Sequence, residues 1–370
     1  MAPTETPSDR RRLPSRLLIG ASAVLFALLA LELGLRLAGY SSPRINAAHP
    51  GWGYGGRPGV EAWHGAEGGA LVRNNARGFR DAERTFAKPA GTVRVAVLGD
   101  SYVAAHQVAL EQRFTERLAD ALGALLAADA RFADRRVEVL NFGVNGAGTA
   151  QELLIWRHEA ARYGPDLVLL CFFGGNDLAN NARALEQNPY KPYFALDAAG
   201  ELVLDAGFET ALAERERPLA RLLEAATDAS RLLQLLRRGR PPPRVPHGPR
   251  PYDPRDPRAA GEFLPEAGLR DEVYRAPQDA TWAEAWRVTE ALLAELSDEV
   301  LESGARCAVV ALTSGVQVHP DPDVRARFAA RLGVADLDYP EGRLAAFCAA
   351  RGIPCVLLAP AFREIGRAHV

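Results

Sequence analysis

Short, mostly apolar runs alternate along this chain with longer stretches in which apolar residues recur every three or four positions. The runs are Val93–Leu98, Val137–Phe142, Leu167–Phe173, Cys307–Leu312 and Cys355–Leu358. Their hydrophobicity is mostly continuous rather than alternating, which predicts strands covered on both faces, as in a parallel sheet. Helical spacing fills the intervals. One helix is expected from about Phe114 to Leu126. Thr149-Ala-Gln-Glu152 has the form of a capping box and opens a second, stopping at Gly164-Pro165. Thr281-Trp-Ala-Glu284 opens a third, which should bury Trp282, Trp286, Leu293 and Leu296 and end before Gly304. Strands alternating with helices predict an α/β fold, a three-layer doubly wound sandwich around a central parallel sheet.

The first forty residues follow another pattern. Residues 1–16 are polar and carry Arg10, Arg11, Arg12 and Arg16, and Leu17–Leu31 holds no charge. As one helix, Leu17–Ala38 spans about 33 Å, enough for a hydrocarbon core. Glu32 and Arg36 fall four apart on one face and should pair, and Tyr40 suits an interface. The segment 17–40 therefore reads as a transmembrane signal anchor, with residues 1–16 cytoplasmic and the rest extracytoplasmic, periplasmic or at the cell surface. The rival readings are a cleaved signal peptide, against which Leu37-Ala-Gly39 is a poor cleavage site, and a buried core helix. Residues 41–90 read as a stalk and lead-in, and 91–363 as the main domain. An insertion at about 179–280 separates the third and fourth strands. It contains one helical stretch near Leu219–Leu236 and a proline tract, Arg240–Pro251, which should be an exposed polyproline-like loop.

Composition narrows the class. The chain has 370 residues, 48% hydrophobic and 24% charged, with 44 basic against 46 acidic side chains. That is ordinary globular composition without the basic field that nucleic acid requires. Four cysteines are too few for a disulfide framework; Cys348 and Cys355 form one conceivable pair. No Cys/His spacing resembles a metal site. No glycine-rich phosphate loop follows a strand, so no cofactor is expected.

The chemistry lies at the carboxyl ends of the strands, where open α/β sheets hold their sites. Gly99-Asp100-Ser101 follows the first strand, Asn141-Phe-Gly143-Val-Asn145-Gly146 ends the second, and Gly174-Gly175-Asn176-Asp177 follows the third. A serine at a strand-to-helix turn is exposed and faces a helix N-terminus. A glycine brings a backbone N–H close to substrate, and an asparagine amide adds a donor. Together they suggest acyl transfer with an oxyanion hole.

In these motifs the chain resembles the GDSL-type or SGNH hydrolases, closely over residues 92–180 and by strand pattern over 281–360. Asn74-Asn-Ala-Arg-Gly78-Phe-Arg80-Asp81 also resembles the lead-in of membrane-anchored bacterial members. The resemblance implies Ser101 as nucleophile, with Gly146 (Gly143 in the alternative register) and Asn176 in the oxyanion hole. It implies an esterase or acyl-hydrolase whose partners are an acylated small-molecule or carbohydrate substrate and, through its first helix, the membrane. Two alternatives stand beside it: an O-acyltransferase of envelope polysaccharide, and a non-catalytic binding or assembly protein of the same fold.

The family's base is a histidine in Asp-x-x-His after the last strand, and no such motif occurs in the 370 residues. His319, after the fourth strand, is a conceivable substitute. Residues 364–370, Glu-Ile-Gly-Arg-Ala-His-Val, read as a translated sequencing-library adapter. The expectation is a C-terminally truncated chain whose Asp and His lie beyond about Phe362, nearly inactive as it stands.

Overall fold

A computed structural model describes residues 9–65, 69–205, 207–238 and 269–368. The proline tract falls outside them. The chain divides into two compact units.

The smaller unit runs up to Arg44 and returns at Glu216. Its first element is α1 (Asp9–Leu37), within which Leu17–Leu37 is long and apolar enough to cross a bilayer. Arg36 donates to Glu32 at 2.7 Å, the expected pair.

The larger unit begins at Ile45. Where the sequence reads as a stalk, the chain forms two antiparallel hairpins, β1–β2 (Asn46–His49, Gly53–Gly56) and β3–β4 (Glu61–His64, Ala70–Arg73). The correction has a packing reason. Trp52 and Phe79 are buried in the main core, and Val60, Ala62 and Val72 are buried along the hairpins. Gly78 takes a positive φ of 88°, and its backbone lies so close to Gly56 that no side chain fits there.

All five predicted strands form: β5 (Thr92–Gly99), β6 (Arg136–Gly143), β7 (Leu167–Phe172), β10 (Arg306–Ala311) and β11 (Cys355–Leu357). They make one parallel sheet in the order β11-β10-β7-β5-β6, so the predicted α/β fold is present. Both faces are covered. Ala96, Leu98 and Leu140 join α4 (Thr149–His158) and the long helix Ala280–Glu302 in the larger core, which includes Trp282, Trp286, Leu293 and Leu296. Val95, Val97 and Val139 face the other side, against Leu118 and Leu122 of α3 (Phe114–Ala127). The short helix α2 (Ser101–Ala104) follows β5.

Neither capping box forms. The first helical residue of α4 is Thr149 itself, and the amide of Ala150 donates to Asn181 Oδ1 at 3.0 Å, so a neighbouring loop supplies the cap. The helix at Ala280 starts one residue before Thr281 and is capped by Asp279, which accepts from the Trp282 amide at 2.9 Å.

The insertion is more structured than its sequence suggests. After α5 (Asp177–Asn180) come a hairpin, β8–β9 (Tyr193–Leu196, Leu202–Asp205), and α6 (Gly207–Arg215). The single predicted helix near 219–236 is two, α7 (Pro218–Ala229) and α8 (Arg231–Arg238), parted where Ser230 turns extended. The long helix Ala280–Glu302 is α9, followed by α10 (Pro322–Leu332), α11 (Tyr339–Arg351) and α12 (Ala359–Ala368). All four cysteines are free thiols.

Candidate active site

In chain order the five core strands lie 2-1-3-4-5, and the order reverses between β5 and β7. The crevice outside the carboxyl ends at such a reversal is where open α/β sheets bind ligands. Ser101 and Asn176 stand at those two strand ends.

Ser101 is half-buried and is the first residue of α2. The carboxylate of Asp100, fully buried beneath it, joins the two loops. Its Oδ1 accepts from the Tyr102 amide and its Oδ2 from Asn176 Nδ2, both at 2.9 Å. One of the two amide hydrogens of Asn176 is therefore committed to Asp100 and the other remains. The Asn176 loop is closed by Asp177, which accepts from the Phe173 amide at 2.7 Å. Burial pushes Asp100 upward against its hydrogen-bond donors, which lower it, and pushes Asp177 and Glu152 well up, these two raised further by the charge of neighbouring acids.

The second loop separates its two candidate glycines. Gly143 packs against α2 so tightly that a Cβ would fall 2.3 Å from the Ala104 nitrogen. Gly146 is half-buried, with φ at +69°, and its carbonyl accepts from Tyr54 Oη at 2.9 Å. Asn180 Nδ2 donates to the Ala147 carbonyl at 3.1 Å, and Asn145 Nδ2 donates to His106 Nδ1 at 3.0 Å. Burial, with Arg80 and His64 nearby, depresses His106 to about 3, so its ring is a neutral acceptor carrying its hydrogen on Nε2.

The lead-in motif supports α2 from behind. Arg80, fully buried, donates from Nη1 to the carbonyls of Ala104 and Ala105 and from Nη2 to that of Val108. Burial and Arg113 lower it to about 10. Arg113 in turn donates to the Arg80 carbonyl and, at 3.2 Å, to Asp81. Asn141 Nδ2 donates to the Val103 carbonyl at 2.7 Å. Arg80 is signalled by its motif. Tyr54 and Asn180 have no sequence signal, since each acts on a loop distant along the chain.

His319 lies apart from this assembly in its bonding. Its Nδ1 accepts from the Asp321 amide at 3.2 Å, and burial lowers it. His369 and His247 fall outside the described residues. Beyond β10, Gln317 donates to Glu341 Oε1 at 2.6 Å while Oε2 has no partner. Burial lifts Glu341 to about 7. Because the folded value lies above the ordinary 4.5, this group's contribution to stability is complete below about pH 4.5 and is lost as pH rises to about 7. Glu341→Gln should flatten that slope and stabilise the fold at pH 8 by about 2 kcal/mol. Denaturant midpoints at pH 5 and pH 8 measure it; an unchanged slope would refute it.

The sequence profile of the GDSL-like Lipase/Acylhydrolase family matches residues 97–369. No curated protein matches the chain. Among solved structures, an alpha/beta hydrolase enzyme from the metagenome of Lake Arreo, Spain, is 13% identical over 74% of this chain and 80% of that one, with a TM-score of 0.29. A gut microbial diltiazem-metabolizing enzyme is 12% identical over 60% of this chain and 38% of its own, with a TM-score of 0.22.

Proposed function

Because the chain belongs to the GDSL-like lipase/acylhydrolase family, hydrolysis is its class of chemistry, and we propose that it is an esterase or O-acyl deacylase working through an acyl-enzyme on Ser101. The observation that carries this is the Asp100 carboxylate, which ties the Ser101 turn to the Asn176 amide across the sheet's reversal. Ser101 Oγ bonds to the ester carbonyl carbon as its proton passes to a base. The carbonyl oxygen becomes an oxyanion held by the Gly146 N–H and the second Asn176 amide hydrogen, each such donor contributing about 3 kcal/mol to the transition state. Collapse expels the alcohol with the proton, and water then releases the acid by the same route.

The substrate class we favour is an acylated carbohydrate or other envelope ester. The arginines before the apolar stretch Leu17–Leu37 would hold residues 1–16 in the cytoplasm and put the Ser101 site outside. The base is not among the groups described above. The 370 residues carry no Asp-x-x-His, His106 is engaged by Asn145, and His319 by the Asp321 amide. A nucleophile without its base retains only the catalysis of the oxyanion hole and binding, so turnover by this chain should be low. That same absence favours one second reading, binding of an acylated ligand without turnover.

Fluorophosphonate labelling tests the nucleophile. Slow labelling should occur in this chain and vanish in Ser101→Ala; equal labelling of the two would remove Ser101 from its role. Tyr54→Phe tests the oxyanion loop, because it frees the Gly146 carbonyl while keeping the ring. We expect kcat/KM for a short-chain aryl ester to fall about tenfold at a stability cost of only about 1 kcal/mol. Unchanged kinetics would show that Tyr54 does not position that loop.

A further inference from the structure

The small unit orients an amphipathic hairpin with its apolar side outward. On α7, Leu219, Leu222 and Leu223 fall at i, i+3 and i+4, on one face, and are 67%, 65% and 60% exposed. The opposite face carries Arg221, Glu224 and Asp228, and its two acids are used inside the unit: Arg44 pairs with Glu224 and Arg237 with Asp228. On α8, Leu236 is 67% exposed and Leu233 and Leu235 are exposed beside it. A helix in water turns its apolar stripe to the core and its charges outward. Here the charges are partnered and the leucines are not.

The hairpin is held to α1 at a defined height. Glu32 accepts from Ser230 Oγ at 2.9 Å and from the amides of Arg231 and Leu232 at 3.0 and 2.8 Å, so its carboxylate caps the first turn of α8. Arg36 holds the same carboxylate and donates to the Ala229 carbonyl at 2.6 Å. Ser42 and Gln234 add a bond at 2.8 Å. Glu32 lies five residues before the end of the apolar stretch Leu17–Leu37, about 8 Å along the helix axis. That is the depth of the boundary between headgroups and acyl chains. An acid at that depth requires its donors, and α8 supplies them.

We propose that α7 and α8 form a clasp lying in the plane of the phospholipid bilayer, with their leucines in the interfacial layer around the exit of α1. The proposal rests on α1 spanning the membrane. Its occupant is the boundary region of the lipid bilayer, for which an outward apolar stripe continuous with a membrane span is the fitting surface. One consequence is that α1 belongs to the mature protein, because cleavage after it would remove Glu32 and strip α8 of its cap.

The test uses the full chain in a Cys355→Ser background, the other three cysteines being buried. Single cysteines at Leu222, Leu236, Ala27 and, as a control on the exposed side of β9, Val203 are labelled with an environment-sensitive fluorophore. The protein is reconstituted at high lipid-to-protein ratio into phosphatidylcholine vesicles containing phosphatidylglycerol, with lipid-borne spin quenchers placed shallow or deep. We expect the labels at 222 and 236 to be quenched about twofold more by the shallow quencher than by the deep one. The label at 27 should show the reverse order and the label at 203 no quenching. Adding Glu32→Ala should weaken quenching at 236 and leave 27 unchanged. Water-like emission at 222 and 236 with 27 still deep overturns the clasp and leaves the span standing. An unquenched label at 27 overturns the span, and the clasp with it. Labels at 222 and 236 shielded from water yet indifferent to both quenchers, and cross-linking between chains, would assign the leucines to a second copy and overturn the proposal.

Discussion

Extended by an Asp-x-x-His segment after β11, this chain should lose about 10^6-fold in ester turnover when Ser101 is changed to alanine, whereas the same change in the 370-residue chain should cost less than about tenfold. The contrast follows from the way nucleophile and base act as a unit: once one is absent, removing the other costs little more. The 370 residues hold the Ser101 turn, its Asp100 link to Asn176 and the Gly146 loop, but no Asp-x-x-His. The measurement is kcat/KM for a short-chain aryl ester in the four proteins, with tryptic peptides confirming acylation at position 101. A large Ser101→Ala effect in the unextended chain would mean that one of its own histidines serves as base. Absence of gain on extension would favour ligand binding over turnover.

The second large effect belongs to Arg80. Its guanidinium lies buried against the carbonyls of Ala104, Ala105 and Val108, at the end of the helix that begins with Ser101. Arg80→Ala should lower unfolding free energy by about 4 kcal/mol, since it leaves several buried acceptors without a donor and opens a cavity beside α2. In the chain extended by Asp-x-x-His it should also abolish turnover by letting the Ser101 turn relax. Arg80→Lys should recover little of either loss, because a single ammonium replaces a planar fork that serves three carbonyls. Chemical denaturation gives the first quantity and kcat the second. A stability change below about 1 kcal/mol for Arg80→Ala would show that water replaces the guanidinium at those carbonyls. Full activity in Arg80→Lys would show that α2 does not depend on the fork.

How far the sequence reaches differs from element to element. The five strands and the helices at Phe114 and Ala280 were legible to within a residue or two, because burial on both faces leaves a mostly continuous apolar run and burial on one face leaves a helical stripe. Helix starts were less legible. Thr149 and Thr281 have the right residues at the right spacing, yet Asn181 and Asp279 provide the caps. At Thr149 a distant loop supplies the cap, and at Thr281 an acid two residues earlier takes the role. Residues 46–73 read as a stalk because their glycines and small residues carry little periodic signal. Their hairpins exist because Trp52 and Phe79 find a core made by distant segments.

The candidate site divides the same way. Ser101, Asn176 and the glycine loop are announced by motifs at strand ends, because that chemistry demands particular residue types beside particular backbone turns. The choice between Gly143 and Gly146 turns on what each touches, α2 in one case and Tyr54 in the other, and no local pattern records that. Sequence alone determined the α/β class, the apolar span at the N-terminus and the types of group presented, since these depend on near neighbours and on the period of hydrophobicity. The tertiary structure decided the strand order 2-1-3-4-5, the Asp100 bridge, the Arg80 support and the Glu32 cap on α8. Each of these joins residues far apart in the chain, and only the folded packing brings them within hydrogen-bonding reach.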